Sequence, residues 1–440
     1  MRNSQLVRRA RRLILAAAFV GCSLTGCGSG KDSATGTDDA PWTAPSKPAA
    51  APRPVHDPPA KFAAAGSPMP DEATTGRLTM GGTLNSAIPV TLYKATAYVA
   101  APDHVQAVDT ATGHVTATVE PEGAALSETG SYGNDNPAVA PALVTVGGKP
   151  TVVTPFLVKR SGSGTQAGHK AVEVTGLDAN TAKVLWRLTL RLPDWADTTY
   201  DDLTATAVGA DQAMGAVMVS AGEDAVTYGI DLAAHRRVWT QDGFRATAVA
   251  GGVVAGTTAD DLVHERAVGY EASTGRRRWL GGDSYELAVY AAGPGLVLAQ
   301  GRDYGSGASY HRLLNAATGA TKWEMPAELA GSSCVYDEKS VLVCHGSGSQ
   351  GLVAYGLDAS SGKVLWQLPD KQADRVAPKV TAAWHGRVYG TTDNGPLVLD
   401  ARTGEDTPAR PGIAPVLLNE SAGIALDDAG DNLLVYSTSG

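Results

Sequence analysis

The chain has 440 residues, of which 43% are hydrophobic and only 18% charged, so it can bury a large core. Its 51 glycines and 25 prolines favour many turns over long helices. The formal charge is −9, but five arginines crowd the first dozen residues; without them 31 basic residues face 45 acidic ones, a net charge of −14. That balance argues against nucleic acid, or anionic lipid head groups, as the main partner.

In chain order, Arg2, Arg8, Arg9, Arg11 and Arg12 form a basic leader, and Leu13 to Val20 is an apolar run too short to span a bilayer. Leu24-Thr25-Gly26-Cys27 follows and resembles the bacterial lipobox, an aliphatic residue and two small ones before a cysteine. That resemblance implies a signal peptide over 1–26. It also implies lipidation of Cys27, by diacylglycerol and palmitate, and a protein anchored on the extracytoplasmic face of the cell membrane. Cys22 follows Phe19-Val20-Gly21 and matches less well, since Phe stands in the aliphatic position. The Arg11-Arg12-Leu13-Ile14-Leu15 run also suits a twin-arginine signal, so the export route stays open. From Gly28 to about Thr75 the chain is rich in Ala, Pro, Ser, Thr, Gly and Asp without apolar period; 27–75 therefore reads as a flexible tether and 76–440 as the folded body.

The body is repetitive. Its clearest unit is Ala354-Tyr355-Gly356-Leu357-Asp358, followed by Ser361, Gly362 and Trp366. The acidic or amide position recurs at Asp109, Asp178, Asp231, Glu271, Asn315, Asp358 and Asp400. Eight residues further on stand Trp186, Trp239, Trp279, Trp323 and Trp366, five of the eight tryptophans. An Asp accepting backbone N–H bonds and a Gly at positive φ make a tight turn between two strands, and the Trp lies on the returning strand as a blade-to-blade packing residue. Two further apolar runs precede each copy, among them Ser333 to Tyr336 and Val341 to Cys344, and Val380 to Trp384 and Val388 to Gly390. The later acidic positions are 40, 44, 43 and 42 residues apart, the length of one four-stranded blade; the gaps of 69 and 53 hold insertions. The expected fold is all-β, a β-propeller of four-stranded antiparallel blades. Eight blades are favoured, with seven as the alternative. The segment 415–440 begins a last blade, which an N-terminal strand, with Arg77 to Met80 as the candidate, completes.

This motif resembles the PQQ-like repeat family, seen in quinoprotein alcohol dehydrogenases and in the outer-membrane-assembly lipoprotein BamB. The dehydrogenase branch implies adjacent bridged cysteines beside the quinone, acidic Ca²⁺ ligands and a tryptophan under the ring. This chain has no Cys-Cys pair, and all but Trp42, Trp195 and Trp384 of its tryptophans fall in the repeat register. No catalytic residue, cofactor or metal site is therefore expected, and the nine histidines form no HxH or HExxH pattern. The BamB-like branch implies a non-catalytic, monomeric lipoprotein scaffold that binds an envelope protein or extracellular ligand. The alternatives are a PQQ-dependent dehydrogenase-like enzyme and a ligand-sensing propeller. Alanine-rich, lysine-poor composition is common in high-GC Gram-positive bacteria, which lack such an outer membrane, so the resemblance speaks for the architecture more than the task.

Three further readings concern single residues. Cys334 and Cys344 flank a turn near Asp337-Glu338-Lys339-Ser340 and are expected to form a disulfide across a hairpin. Asp427 to Asn432 reads as a hairpin turn rather than a Ca²⁺ loop, because the distal glutamate is missing. The Asp-x-x-Thr-Gly turns open on one face of a propeller, whereas the long connections 120–136, 159–170, 193–202 and 302–309 open on the other. The latter carry Tyr132, Trp195, Tyr200 and Tyr304, the candidate partner-binding residues.

Overall fold

A computed structural model describes residues 54–440 apart from 75–86, 127–137, 200–202, 212, 260–263, 326–332, 349–350 and 428. Strands dominate, and among the described residues no helix is long and apolar enough to cross a membrane. In chain order the strands form sets at 90–119, 124–191, 204–242, 244–280, 284–324, 333–368, 379–406 and 417–437, termed here the first to eighth sheets. Pairing within each is antiparallel. The fourth and fifth are linked through one pair, Glu265 with Ser284, and the seventh has three strands plus a single bridge from Leu399 to Asp406. This is the β-propeller that the repeats predict.

Burial follows from stacking sheet on sheet. The second and third strands of a sheet are covered on both faces, so Ala171 to Leu177 is buried without a break even though Glu173 lies within it. An outer strand such as Val115–Val119 stays largely exposed. Each apolar cluster is shared by two neighbouring sheets. Tyr98 and Ala107 meet Val152 and Phe156, and Leu298 and Leu313 meet Leu342 and Leu357. One cluster joins the two ends of the chain, packing Val90, Leu92 and Val99 of the first sheet against Ile424, Leu433 and Val435 of the eighth.

The turns are built as their composition requires. Asp109, Asp178, Asp231, Asp358 and Asp400 each accept, through Oδ1, the backbone N–H groups two and three residues ahead, at 2.9–3.1 Å. The residue after that lies at positive φ, usually Gly (φ 73° at Gly362), with Ala182 and His235 as exceptions. Trp239, Trp279 and Trp366 donate Nε1–H to the carbonyl oxygens of Ala272, Ala316 and Ala401 in the next sheet, at 2.7–2.8 Å. Each indole also covers the turn glycine of that sheet (Gly275, Gly319 and Gly404), while Trp186 stacks on His235 at 5.1 Å. The tryptophans are thus blade-to-blade staples. A second glycine, two residues before the acidic position, makes room for them. At Gly176, Gly229, Gly269 and Gly356 a Cβ would overlap the indole on the paired strand.

The boundary at residue 76 needs correction. Residues 54–74, read from composition as tether, belong to the body. Phe62 is 2% exposed, stands edge-on to Tyr389 and covers Gly423. Ser67–Pro68 pairs with Val435 and Leu434 as the outermost strand of the eighth sheet, and Met69 and Ala73 are buried in the cluster that joins the chain ends. The strand expected at Arg77 to Met80 lies outside the described residues. Prolines misled here: they remove helix and period, yet suit an edge strand and a strap whose contacts are made by isolated side chains.

Candidate functional site

The antiparallel order places the first-to-second and third-to-fourth turns of every sheet at one end, and the remaining connections at the other. On the long-connection face, the segment 120–126 is held by a buried ion pair. Glu173 is fully buried and accepts the N–H groups of Glu122 at 3.0 Å and Gly123 at 3.3 Å, and Arg187 Nη1–H at 2.5 Å. Arg187 also donates to the Glu120 carbonyl at 2.9 Å and approaches Glu122 Oε1 at 3.6 Å. Both charges are therefore matched, which a buried pair requires. Sequence reasoning missed this clamp, although a lone Glu inside Ala171-Val172-Glu173-Val174 was its signal.

Tyr304, 46% exposed, lies 4.3 Å from the His264 ring and 6.4 Å, edge-on, from Tyr285. Arg302 sits over Tyr285 at 5.7 Å, and beside it Arg312 covers Tyr310 at 4.2 Å. The loop is shaped by Asp303, whose Oδ1 accepts both the N–H and the hydroxyl of Ser306 at 2.9 Å; these bonds hold its carboxyl below the usual range. Tyr304 is therefore presented on a loop shaped by Asp303, among aromatic and arginine neighbours that the sequence did not reveal as such.

Trp195 differs. It lies on a short helix, Asp194–Thr198, half-buried against the cluster shared by the second and third sheets, and so packs on the body as well as facing solvent. Asp197 fixes that helix by accepting the Lys170 N–H at 3.0 Å. Tyr132, Tyr200 and Cys27 lie outside the described residues. Cys334 and Cys344 are direct partners in the ladder of the sixth sheet and are joined as a disulfide with S–S 2.04 Å. Asp427 Oδ1 accepts the N–H groups of Asp431 and Asn432, a hairpin turn as read from sequence. Burial lowers the pKa of His311 and His345, favouring their neutral forms.

Comparison with known proteins adds a family and a set of folds. The family described as outer membrane protein assembly factor BamB matches residues 69–280 and 295–422. The serine/threonine-protein kinase AfsK of Streptomyces coelicolor is 32% identical over 153 residues, which are 34% of this chain and 18% of the kinase; the chain thus spans under a fifth of that relative's length. Among solved structures, the Dos1 propeller aligns at a TM-score of 0.42 and 10% identity over 76% of this chain and 83% of its own. The dihydro-heme d1 dehydrogenase NirN aligns at 0.38 and 15%, over 77% and 67% respectively.

Proposed function

This chain belongs to the BamB family of PQQ-repeat propellers, and on that premise we propose that it is a non-catalytic, membrane-anchored scaffold that engages another envelope protein through its long-connection face. The observation that carries the reading is the contrast between the two ends of the sheets. One end is a set of near-identical turns whose acidic side chains are spent on their own backbone N–H groups. The other presents long, dissimilar connections with Tyr304, Tyr285 and two arginines at the surface, the residue types that dominate binding energy in protein interfaces. We further read the eight sheets as one closed ring, supported by the strap pairing and by the cluster that joins the chain ends. Lipid on Cys27 is the proposed anchor, in keeping with the lipobox-like Leu24-Thr25-Gly26-Cys27.

Two measurements test this. Cys27→Ser should move the protein from the membrane to the soluble extracytoplasmic fraction with its unfolding midpoint unchanged; retention in the detergent phase would remove the lipid assignment. A photo-crosslinker at Tyr304 should trap a discrete partner band in intact cells, whereas one at Ser360 in a tight turn should not. Equal trapping from both positions would show that the long-connection face has no special role.

A further inference from the structure

The seven copies of the capped turn are followed by different residues. After the positive-φ position stand Arg236-Arg237 in the third sheet and Arg276-Arg277-Arg278 in the fourth, whereas no other copy places two cations in succession. All five arginines are exposed. Asp231 pairs with Arg236 at 3.7 Å and Glu271 with Arg278 at 2.7 Å, while among the described residues Arg237, Arg276 and Arg277 form no ion pair. Asp211 is the other carboxylate at this end of the two sheets, and its Oδ2 accepts the Gly252 N–H at 2.6 Å. Positive charge stays in excess when it is counted. Glu223, Asp224, Asp242 and Glu265 lie at the opposite strand ends. Asp242 is six residues along the strand from Arg236, roughly 20 Å, against a screening length of about 8 Å.

A second, independent observation is apolar. On the outermost strand of the second sheet Val184 and Leu185 are 40% and 44% exposed, and on that of the fourth Leu280 is 37% exposed. The tryptophan staples join these strands into one surface. Trp186, beside Leu185, stacks on His235, which precedes Arg236; Trp239 covers Gly275, which precedes Arg276. Gln241 adds a bond from Nε2–H to the Gly275 carbonyl at 3.0 Å.

We propose that this outer rim of the second, third and fourth sheets docks an acidic segment of a partner protein, one in which carboxylates are interspersed with aliphatic residues. A guanidinium donates two parallel N–H bonds to a carboxylate, and it is more weakly hydrated than an ammonium, so it is the easier cation to bury. Arginine is accordingly enriched in protein interfaces, where lysine is depleted. The exposed aliphatics choose between carriers of negative charge. A bare polyanion would leave Val184, Leu185 and Leu280 facing water, whereas a mixed segment covers them. The rim is separate from the long-connection face, and crosslinking from Tyr304 does not bear on it.

The probe is a fluorescent synthetic peptide of Glu-Leu-Glu-Ser repeats, titrated into the full chain prepared without lipid modification and followed by anisotropy. The wild-type chain should bind it, and should bind a Gln-Leu-Gln-Ser peptide about tenfold more weakly or less. Arg237→Ala, Arg276→Ala and Arg277→Ala together should weaken binding by about tenfold or more, with the ion pairs of the fold left intact. Lys149→Ala, Lys159→Ala and Lys379→Ala, the same charge change elsewhere, should leave it within about twofold. Leu185→Ser with Leu280→Ser should weaken it by about threefold or more. No binding by the wild-type chain, no loss in the first triple, or equal losses in both triples would each overturn the proposal, the last by assigning binding to overall charge or the basic leader. An unmoved leucine pair, together with full displacement of the peptide by inorganic polyphosphate, would mean that the rim reads charge alone and would discard the mixed segment. Should the first triple unfold by circular dichroism, Arg276→Gln with Arg277→Gln replaces it.

Discussion

Trp366→Ala should lower the stability of the body by roughly 3–5 kcal/mol, the usual cost of deleting a buried aromatic from a core. The ring is 8% exposed, seated over Gly356 on its own sheet and Gly404 on the next. Two penalties add. The space left lies between two glycines, which carry no side chains to fill it, and the Ala401 carbonyl loses the indole N–H at 2.7 Å. Chemical denaturation followed by far-UV circular dichroism reads the loss directly. Trp279→Ala is the internal comparison: its indole makes the equivalent bond to Ala316 but is only half-buried, so its loss should be smaller. A Trp366→Ala cost below about 1 kcal/mol would mean that the staples are dispensable.

Glu173→Ala should cost about 3–5 kcal/mol, because it strands the Arg187 guanidinium, 20% exposed, beside two N–H groups that have also lost their acceptor. Removing both partners is expected to be milder. Glu173→Leu with Arg187→Leu should recover part of the loss, since neither charge then remains buried alone. Hydrogen exchange adds a local readout: the Glu122 and Gly123 amides should lose protection in Glu173→Ala well before the strand amides do. If the single and double variants are equally destabilised, or those two amides keep their protection, the pair does not act as the clamp of 120–126.

Much of the fold was legible because its signals are local and repeated. An Asp that caps its own turn, a residue at positive φ four positions later and a Trp at a constant offset each act within a dozen residues, so seven copies reinforce one another. The strap was not legible. Ser67–Pro68 is two residues long, and what makes it a strand is Leu434 and Val435 at the other end of the chain. The −2 glycines stood in the motif, but their role depends on an indole across the ladder. Among the candidate site residues, Tyr304 and Trp195 read alike as aromatics on connections. Packing separates them, since one caps an exposed cluster of rings and the other leans on the core.

The strap also sets an order of events in biosynthesis. Ser67 and Pro68 are made before the sheets that follow them, and their ladder partners, Val435 and Leu434, only after the first seven. Until then the eighth sheet cannot form, and its edge and the cluster at Met69 and Ile424 stay open. Because loop-closure cost grows only with the logarithm of length, joining such distant segments is slow to find rather than expensive to keep. Sheets two to seven can assemble by neighbour contacts as they emerge. The final act is the meeting of the first and eighth sheets, and a chain that lost Leu433 to Ser437 would keep that seam unsewn.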